Sequence, residues 1–302
     1  MNIVVCGAAG YIGSVLTPTL CQLGHRVTAA DFNLGPSLRN ACLFKNVDII
    51  RANCLDLETV GELVKDADFI YWLVGATGGD EKTLREINVG SALRLASKIG
   101  KGQTIIFPQT NAGYRPTNGI ATEVTPMIAG SVYSQTKIEA EKILMDTGRC
   151  VSFRLAAVYG PAPTIRWETL LNYMVYHAVK HPNRSFEIYQ PYAVRDVLFT
   201  TDLVQRLALP LDADLAGEVF NLSGHSLNKA SFLERVFKHR DLDGPRRLYM
   251  TTAKVSDPDQ RNFYVSEEKF RLRFDQIRGH PVFTTDVDDG IGMTINAARL
   301  EG

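Results

Sequence analysis

Asn2-Ile3-Val4-Val5-Cys6-Gly7-Ala8-Ala9-Gly10-Tyr11-Ile12-Gly13 is an apolar run followed by three spaced glycines. The run Asn2–Cys6 is continuous, as in a strand covered on both faces. The glycines follow the spacing G-x-x-G-x-x-G, one residue longer in the first gap than the G-x-G-x-x-G of dinucleotide-binding turns. The physics is shared: glycine permits a tight turn and lets the backbone approach a pyrophosphate. The next helix offers free N–H groups and the positive end of its dipole. The competing explanation is a glycine-rich turn that merely links strand to helix. A second strand, Arg26–Ala30, leads into Asp31, eighteen residues beyond Gly13. A carboxylate there accepts hydrogen bonds from both ribose hydroxyls of an adenosine and repels an added phosphate. Phe32 and Asn33 follow it, with no Lys or Arg, which favours NAD over NADP. The plainer alternative is a surface Asp at a strand end. After a third strand, Asp56 and Leu57 flank the adenine, or Asp56 only caps the next helix.

The alternation continues outward. Further strands are expected at Asp48–Arg51, Asp68–Val74, Thr104–Pro108 and Cys150–Leu155, with helices near 12–23, 57–65, 82–99 and 132–147. This order predicts an α/β fold with a Rossmann-like doubly wound parallel sheet. After Pro161 the pattern changes. It reads as a helix at Trp167–Lys180, strands at Ser185–Tyr189 and Val194–Phe199, and a capped helix at Thr201–Leu209. A strand at Glu218–Leu222 and polar helices near 228–238 and 266–273 follow. We expect an NAD-binding domain over 1–160, with 194–222 returning to it. Residues 161–193 and 223–302 would form a smaller C-terminal α/β substrate lobe.

Lys plus Arg is 33 and Asp plus Glu is 33 in 302 residues. A chain that grips nucleic acid through its phosphates carries a basic excess, so that partner is not expected. The longest strongly apolar run, Phe69 to Ala76, is under half of a membrane span. No basic leader or apolar signal core precedes the first strand. The five cysteines are widely spaced, without CxxC or a Cys/His cluster, so neither a metal nor a disulfide framework is expected. A cytoplasmic setting fits best.

Tyr133-Ser134-Gln135-Thr136-Lys137 opens a predicted helix. Positions i and i+4 share a face, so phenol and ammonium converge on one ligand. A nearby Lys lowers the phenol pKa toward working pH. Strand five leads to Thr110, whose hydroxyl emerges at the C-terminal end of a parallel strand, where such sheets bind ligands.

These residues resemble the short-chain dehydrogenase/reductase superfamily, specifically its extended branch of NAD-dependent nucleotide-sugar epimerases and dehydratases. The resemblance covers nearly the whole chain. It includes Ile87-Asn88-Val89-Gly90-Ser91, Glu141, and Arg154 through Pro161 as an R-x-x-x-V-Y-G-P strand. It extends to Arg195-Asp196-Val197 onward and to Val219-Phe220-Asn221-Leu222-Ser223-Gly224. The resemblance implies Tyr133 as acid/base on a sugar oxygen, Thr110 as its hydrogen-bond partner, and Lys137 on the nicotinamide ribose. Gly75, Ala76 and Asn88 would join the loop around NAD. Arg195, Asn111 and Tyr192 would meet the nucleotide-sugar substrate. A homodimer through the helices near 82–99 and 132–147 is also implied.

Some positions depart from the family pattern. The 4,6-dehydratases place Asp-Glu after the catalytic Thr; here Asn111 and Ala112 stand there, which argues against dehydration. Ala157 replaces the Asn that many UDP-sugar epimerases use on substrate phosphate. The resulting expectation is epimerisation by transient oxidation at C4. The alternatives are a C4 dehydrogenase or reductase that releases its product, and a non-catalytic NAD-binding sensor or scaffold.

Overall fold

The computed structural model describes residues 1–38, 41–114, 119–182, 186–188, 190–212, 214–239, 242, 250–252, 262, 264–279 and 281–301. Strand β1 (Asn2–Cys6) has four buried residues, and the chain turns at its end on Gly7, at φ +87°. Helix α1 (Gly13–Gln22) begins at the far side of that turn. A Cβ on Gly13 would lie 2.2 Å from the Gly7 carbonyl oxygen and 2.7 Å from Ala8 Cα. Helix and turn touch backbone to backbone, so only glycine fits.

Strands β2 (Arg26–Asp31) and β3 (Val47–Arg51) pair outward from β1 on one side. Helix α2 (Leu57–Val64) leads to β4 (Phe69–Trp72) on the other. Next come α3 (Glu81–Leu84), a π-helical turn at Arg85–Gly90, α4 (Ser91–Lys98) and β5 (Thr104–Thr110). Helix α5 (Val132–Met145) connects to β6 (Cys150–Leu155). Beyond it run β7 (Ala157–Tyr159), α6 (Leu170–Lys180), β8 (Phe186–Ile188), β9 (Val194–Phe199), α7 (Thr200–Ala208) and β10 (Val219–Leu222). The remainder is β11 (His225–Asn228), α8 (Lys229–Lys238), β12 (Met250–Thr252), α9 (Glu268–Arg278) and α10 (Val287–Leu300).

The large sheet has seven parallel strands in the order β10-β6-β5-β4-β1-β2-β3. Strand order reverses between β1 and β4, which opens a crevice at their C-terminal ends. One face is covered through Leu16, Leu20, Leu203, Leu207, Phe270 and Phe274, the other through Val60, Val64, Leu95 and Leu144. A third apolar cluster, including Tyr159, Val175, Phe199, Phe232 and Ile295, underlies a small sheet of order β11-β9-β7. Residues 194–222 are divided: β9 lies in the small sheet, α7 packs on α1, and β10 edges the large sheet.

Several boundaries differ from the sequence-based expectations. Strand β5 continues through Pro108 to Thr110 because its pairing with β4 stops at Ile106, so the missing N–H of Pro108 costs no ladder bond on that side. The helix expected near 82–99 is interrupted by the π turn that carries Asn88. The helix expected from Trp167 begins at Leu170. Of the expected strand Ser185–Tyr189, Phe186–Ile188 is extended, and Ser185 and Tyr189 lie outside the described residues. Strands β7, β11 and β12 are too short to show periodicity. Gly290 and Gly292 masked α10; a Cβ on Gly290 would lie 2.6 Å from the Tyr159 hydroxyl.

Gly13→Ala should lower unfolding stability by about 3 kcal/mol or more, because overpacking here meets backbone rather than a side chain. Urea denaturation followed by circular dichroism measures it.

Candidate active site

A cleft of about 870 Å³ opens at the reversal point of the sheet. Gly7, Gly10, Tyr11, Ile12 and Gly13 line it from the glycine loop, and Gly75 and Ala76 from the turn after β4. Thr110 enters from the end of β5, and Tyr133 and Lys137 from α5. Ten residues picked from four separate sequence segments thus share one cavity.

Helix α5 starts where it does because Ser131 and Ser134 cap each other. Ser131 Oγ accepts the Ser134 N–H at 3.2 Å, and Ser134 Oγ accepts the N–H groups of Ser131 and Gly130 at 3.0 and 3.1 Å. Tyr133 therefore falls in the first turn and Lys137 one turn further along. Buried Gln109 ties this helix to β5: its Nε2 donates to the Lys137 carbonyl at 2.6 Å, and its Oε1 accepts the Thr110 N–H at 2.8 Å. Thr110 Oγ1 accepts the Ala112 N–H at 3.1 Å, which orients the hydroxyl.

Lys137 is buried. Its Nζ donates to the Pro108 carbonyl at 3.1 Å and lies 4.1 Å from the centre of the Phe107 ring. Burial pushes its pKa down to about 8, against the opposing pull of Glu141. Burial also holds the Tyr133 phenol above its usual range, and the cation that opposes this is Arg166. The expectation that Lys137 lowers the Tyr133 pKa is corrected here: the ammonium is committed to Pro108 and Phe107.

The other expected residues do not line the cleft, and Asp56 lines a separate pocket with Arg51 and Thr59. Asp31 Oδ2 accepts the Ala9 N–H at 2.9 Å and Oδ1 the Asn33 N–H at 3.0 Å, tying β2 to the glycine loop. Arg51, the strand partner of Asp31, approaches this end but donates to the Phe32 carbonyl at 3.1 Å. Asn88 grips Ala76 from below: Oδ1 accepts its N–H at 2.8 Å, and Nδ2 donates to its carbonyl at 3.0 Å. Asp56 caps α2 by accepting the Thr59 N–H at 2.7 Å, and Leu57 is exposed beside it. Asn111 is buried in the turn after Thr110. Arg195 lies on β9 and donates to the Val194 carbonyl at 3.0 Å, while Tyr192 is 77% exposed.

Three of the motif residues are structural supports. Arg154 bonds both oxygens of Glu141 at 3.1 Å and donates to the Tyr114 hydroxyl at 2.9 Å. That hydroxyl donates to Asn221 Oδ1 at 2.7 Å. The chain of bonds locks α5, β6 and β10 behind the cleft.

The opposite wall was not foreseen. Thr77, Thr164, Arg166, Glu168 and Thr169 line the cleft, and Arg166 Nε donates to Glu168 Oε1 at 2.8 Å while its Nη2 bonds Thr77. Residues 162–166 have neither periodicity nor a motif of their own, so only folding places them here.

Lys137 gives a pH signature. Between about pH 8 and its ordinary 10.5, the unfolded chain holds a proton at Lys137 that the folded chain has lost, so stability rises with pH across that window. Denaturation midpoints of wild type and Lys137→Met should therefore diverge in favour of wild type from pH 8 to 10.5. A constant gap would contradict the assignment.

An uncharacterized UDP-glucose epimerase, YtcB of Bacillus subtilis, is 27% identical over 91% of this chain and 93% of its own. A UDP-glucose 4-epimerase of Corynebacterium glutamicum is 25% identical over 97% of this chain and 96% of its own. The crystal structure of a UDP-glucuronic acid 4-epimerase from Bacillus cereus with UDP-glucuronic acid and NAD superposes with a TM-score of 0.86, at 20% identity over 99% of both chains. The sequence model of the NAD dependent epimerase/dehydratase family matches residues 3–223, and the chain belongs to that family.

Proposed function

We propose that this chain is an NAD-dependent epimerase that inverts C4 of a nucleotide-activated sugar. The observation that carries this is the single cleft shared by the glycine loop, Thr110, Tyr133 and Lys137. The residues fit a dinucleotide: Gly7, Gly10 and Gly13 line the cleft with backbone alone, so no side chain keeps a diphosphate from their N–H groups. Gly7, Gly10 and Gly13 would hold the diphosphate, Asp31 the adenosine ribose, Ala76 and Lys137 the nicotinamide side. Asn111, Arg195 and Tyr192 are kept as candidate substrate contacts on the family resemblance, with Asp56 and Leu57 at the adenine end. Bound NAD supplies a reversible hydride acceptor. Tyr133 exchanges the proton of the sugar oxygen, taking it as the sugar is oxidised and returning it as the sugar is reduced. Thr110 holds the same oxygen by a hydrogen bond. Asn111 and Ala112 carry no acid or base for loss of water.

We further infer a cytoplasmic homodimer. Leu93, half-exposed on α4, supports the dimer face, and the five free cysteines support a reducing compartment. Residues 1–160, part of 194–222 and α9, whose Phe270 and Phe274 cover the large sheet, act as the cofactor domain, and the remainder as the substrate lobe.

NAD-loaded protein offered UDP-, GDP-, CDP- and dTDP-sugars should yield an isomer of unchanged mass and shifted retention in chromatography with mass spectrometry. Accumulating NADH with loss of two hydrogens would sink the epimerase in favour of a dehydrogenase. Tyr133→Phe should reduce kcat by about 1000-fold while NAD affinity by calorimetry changes little.

A further inference from the structure

Tyr11 belongs to the glycine loop by its backbone and to the other half of the molecule by its side chain. Its ring is buried, and its hydroxyl meets three partners beyond residue 159. It contacts the Gly160 carbonyl at 2.8 Å, Thr200 Oγ1 at 2.9 Å and Asn172 Nδ2 at 3.0 Å. Asn172 is fully buried, and both hydrogens and the oxygen of its amide are bonded. Oδ1 accepts the Gly160 N–H at 3.0 Å, and Nδ2 also donates to the Arg166 carbonyl at 3.2 Å. Thr200 donates onward to the Tyr159 carbonyl at 2.8 Å. Gly160 sits at φ +126°, and a Cβ on it would lie 2.7 Å from the Phe199 ring. The segment that builds the far wall of the cleft, with Thr164, Arg166 and Glu168, is therefore suspended from Asn172 and Tyr11.

We propose that Tyr11 is a positioning residue that couples dinucleotide binding at the glycine loop to the placement of the 160–172 wall. The wall that faces the sugar is thereby ordered when the cofactor is seated. This deepens the function proposed above and rests on it. A dinucleotide on the loop restrains the backbone at Tyr11, the rigid ring carries that restraint to its hydroxyl, and the hub of Asn172, Gly160 and Thr200 passes it to Arg166. Linkage makes the coupling reciprocal: a ligand that orders the Arg166 wall tightens NAD binding by the same factor. Burial raises the phenol to about pKa 12, so the donor persists across the working pH range.

Hydrogen–deuterium exchange of the full chain, with and without saturating NAD, tests this. In wild type, NAD should slow exchange over 7–14 and over 160–172. In Tyr11→Phe, protection over 7–14 should persist, while NAD-induced protection over 160–172 should fall about fivefold, the scale of one buried hydrogen bond. Thr200→Val, which removes another arm of the hub, should act in the same direction and serves if Tyr11→Phe does not fold. A hydroxyl that only stabilises the fold would speed exchange with and without NAD and leave the NAD-induced difference intact, which would overturn the proposal. Protection of 7–14 without 160–172 in wild type would overturn it as well. Protection of neither segment would instead remove the cofactor assignment on which it rests.

Discussion

The contact on which this structure depends is the backbone approach of α1 to the turn after β1. Gly13 and the Gly7 carbonyl are so close that a single methyl would occupy the same space. This crossing fixes where α1 starts, where the loop faces, and how near any ligand can come to its N–H groups. It also sets the direction of Tyr11, which leaves the loop toward Gly160, Asn172 and Thr200. The cofactor loop and the wall opposite are thereby parts of one mechanical unit.

Behind the cleft, burial is made tolerable by satisfaction of charge. Arg154 and Glu141 are both largely buried, and breaking such a pair by removing one partner typically costs about 3–5 kcal/mol. Arg154 Nη1 donates to the Tyr114 hydroxyl and to the Glu123 carbonyl, and Glu141 also accepts from the Ser152 hydroxyl. Lys137 is managed differently: it trades solvent for one carbonyl and an aromatic face, and its proton is held loosely as a result. The same helix thus carries a firmly paired carboxylate and a weakly held ammonium one turn apart.

Much of the sheet was legible because its strands are continuous apolar runs punctuated by glycine. Thr110, Tyr133 and Lys137 were legible because helix and strand geometry turn fixed spacings into shared faces. Asn88 stood out only through resemblance; its grip on Ala76 depends on a π turn that no propensity announces. Asp56 carries the ordinary signature of a helix cap, and the structure shows it in that role. Arg166 was invisible, since a loop residue acquires meaning only from what folding sets beside it.

The sequence by itself determined the alternation of strands and helices, the glycine turn, and the acid and amine placed one helical turn apart. These follow from local rules of spacing, sterics and side-chain direction. Tertiary structure alone decided that Arg166, rather than Lys137, opposes the rise in the Tyr133 pKa, and that Tyr11 spans the two halves of the site. Both depend on contacts between segments more than a hundred residues apart or set across a cleft, whose energies reside in burial and in the pairing of polar groups, and no pattern within a single segment encodes them.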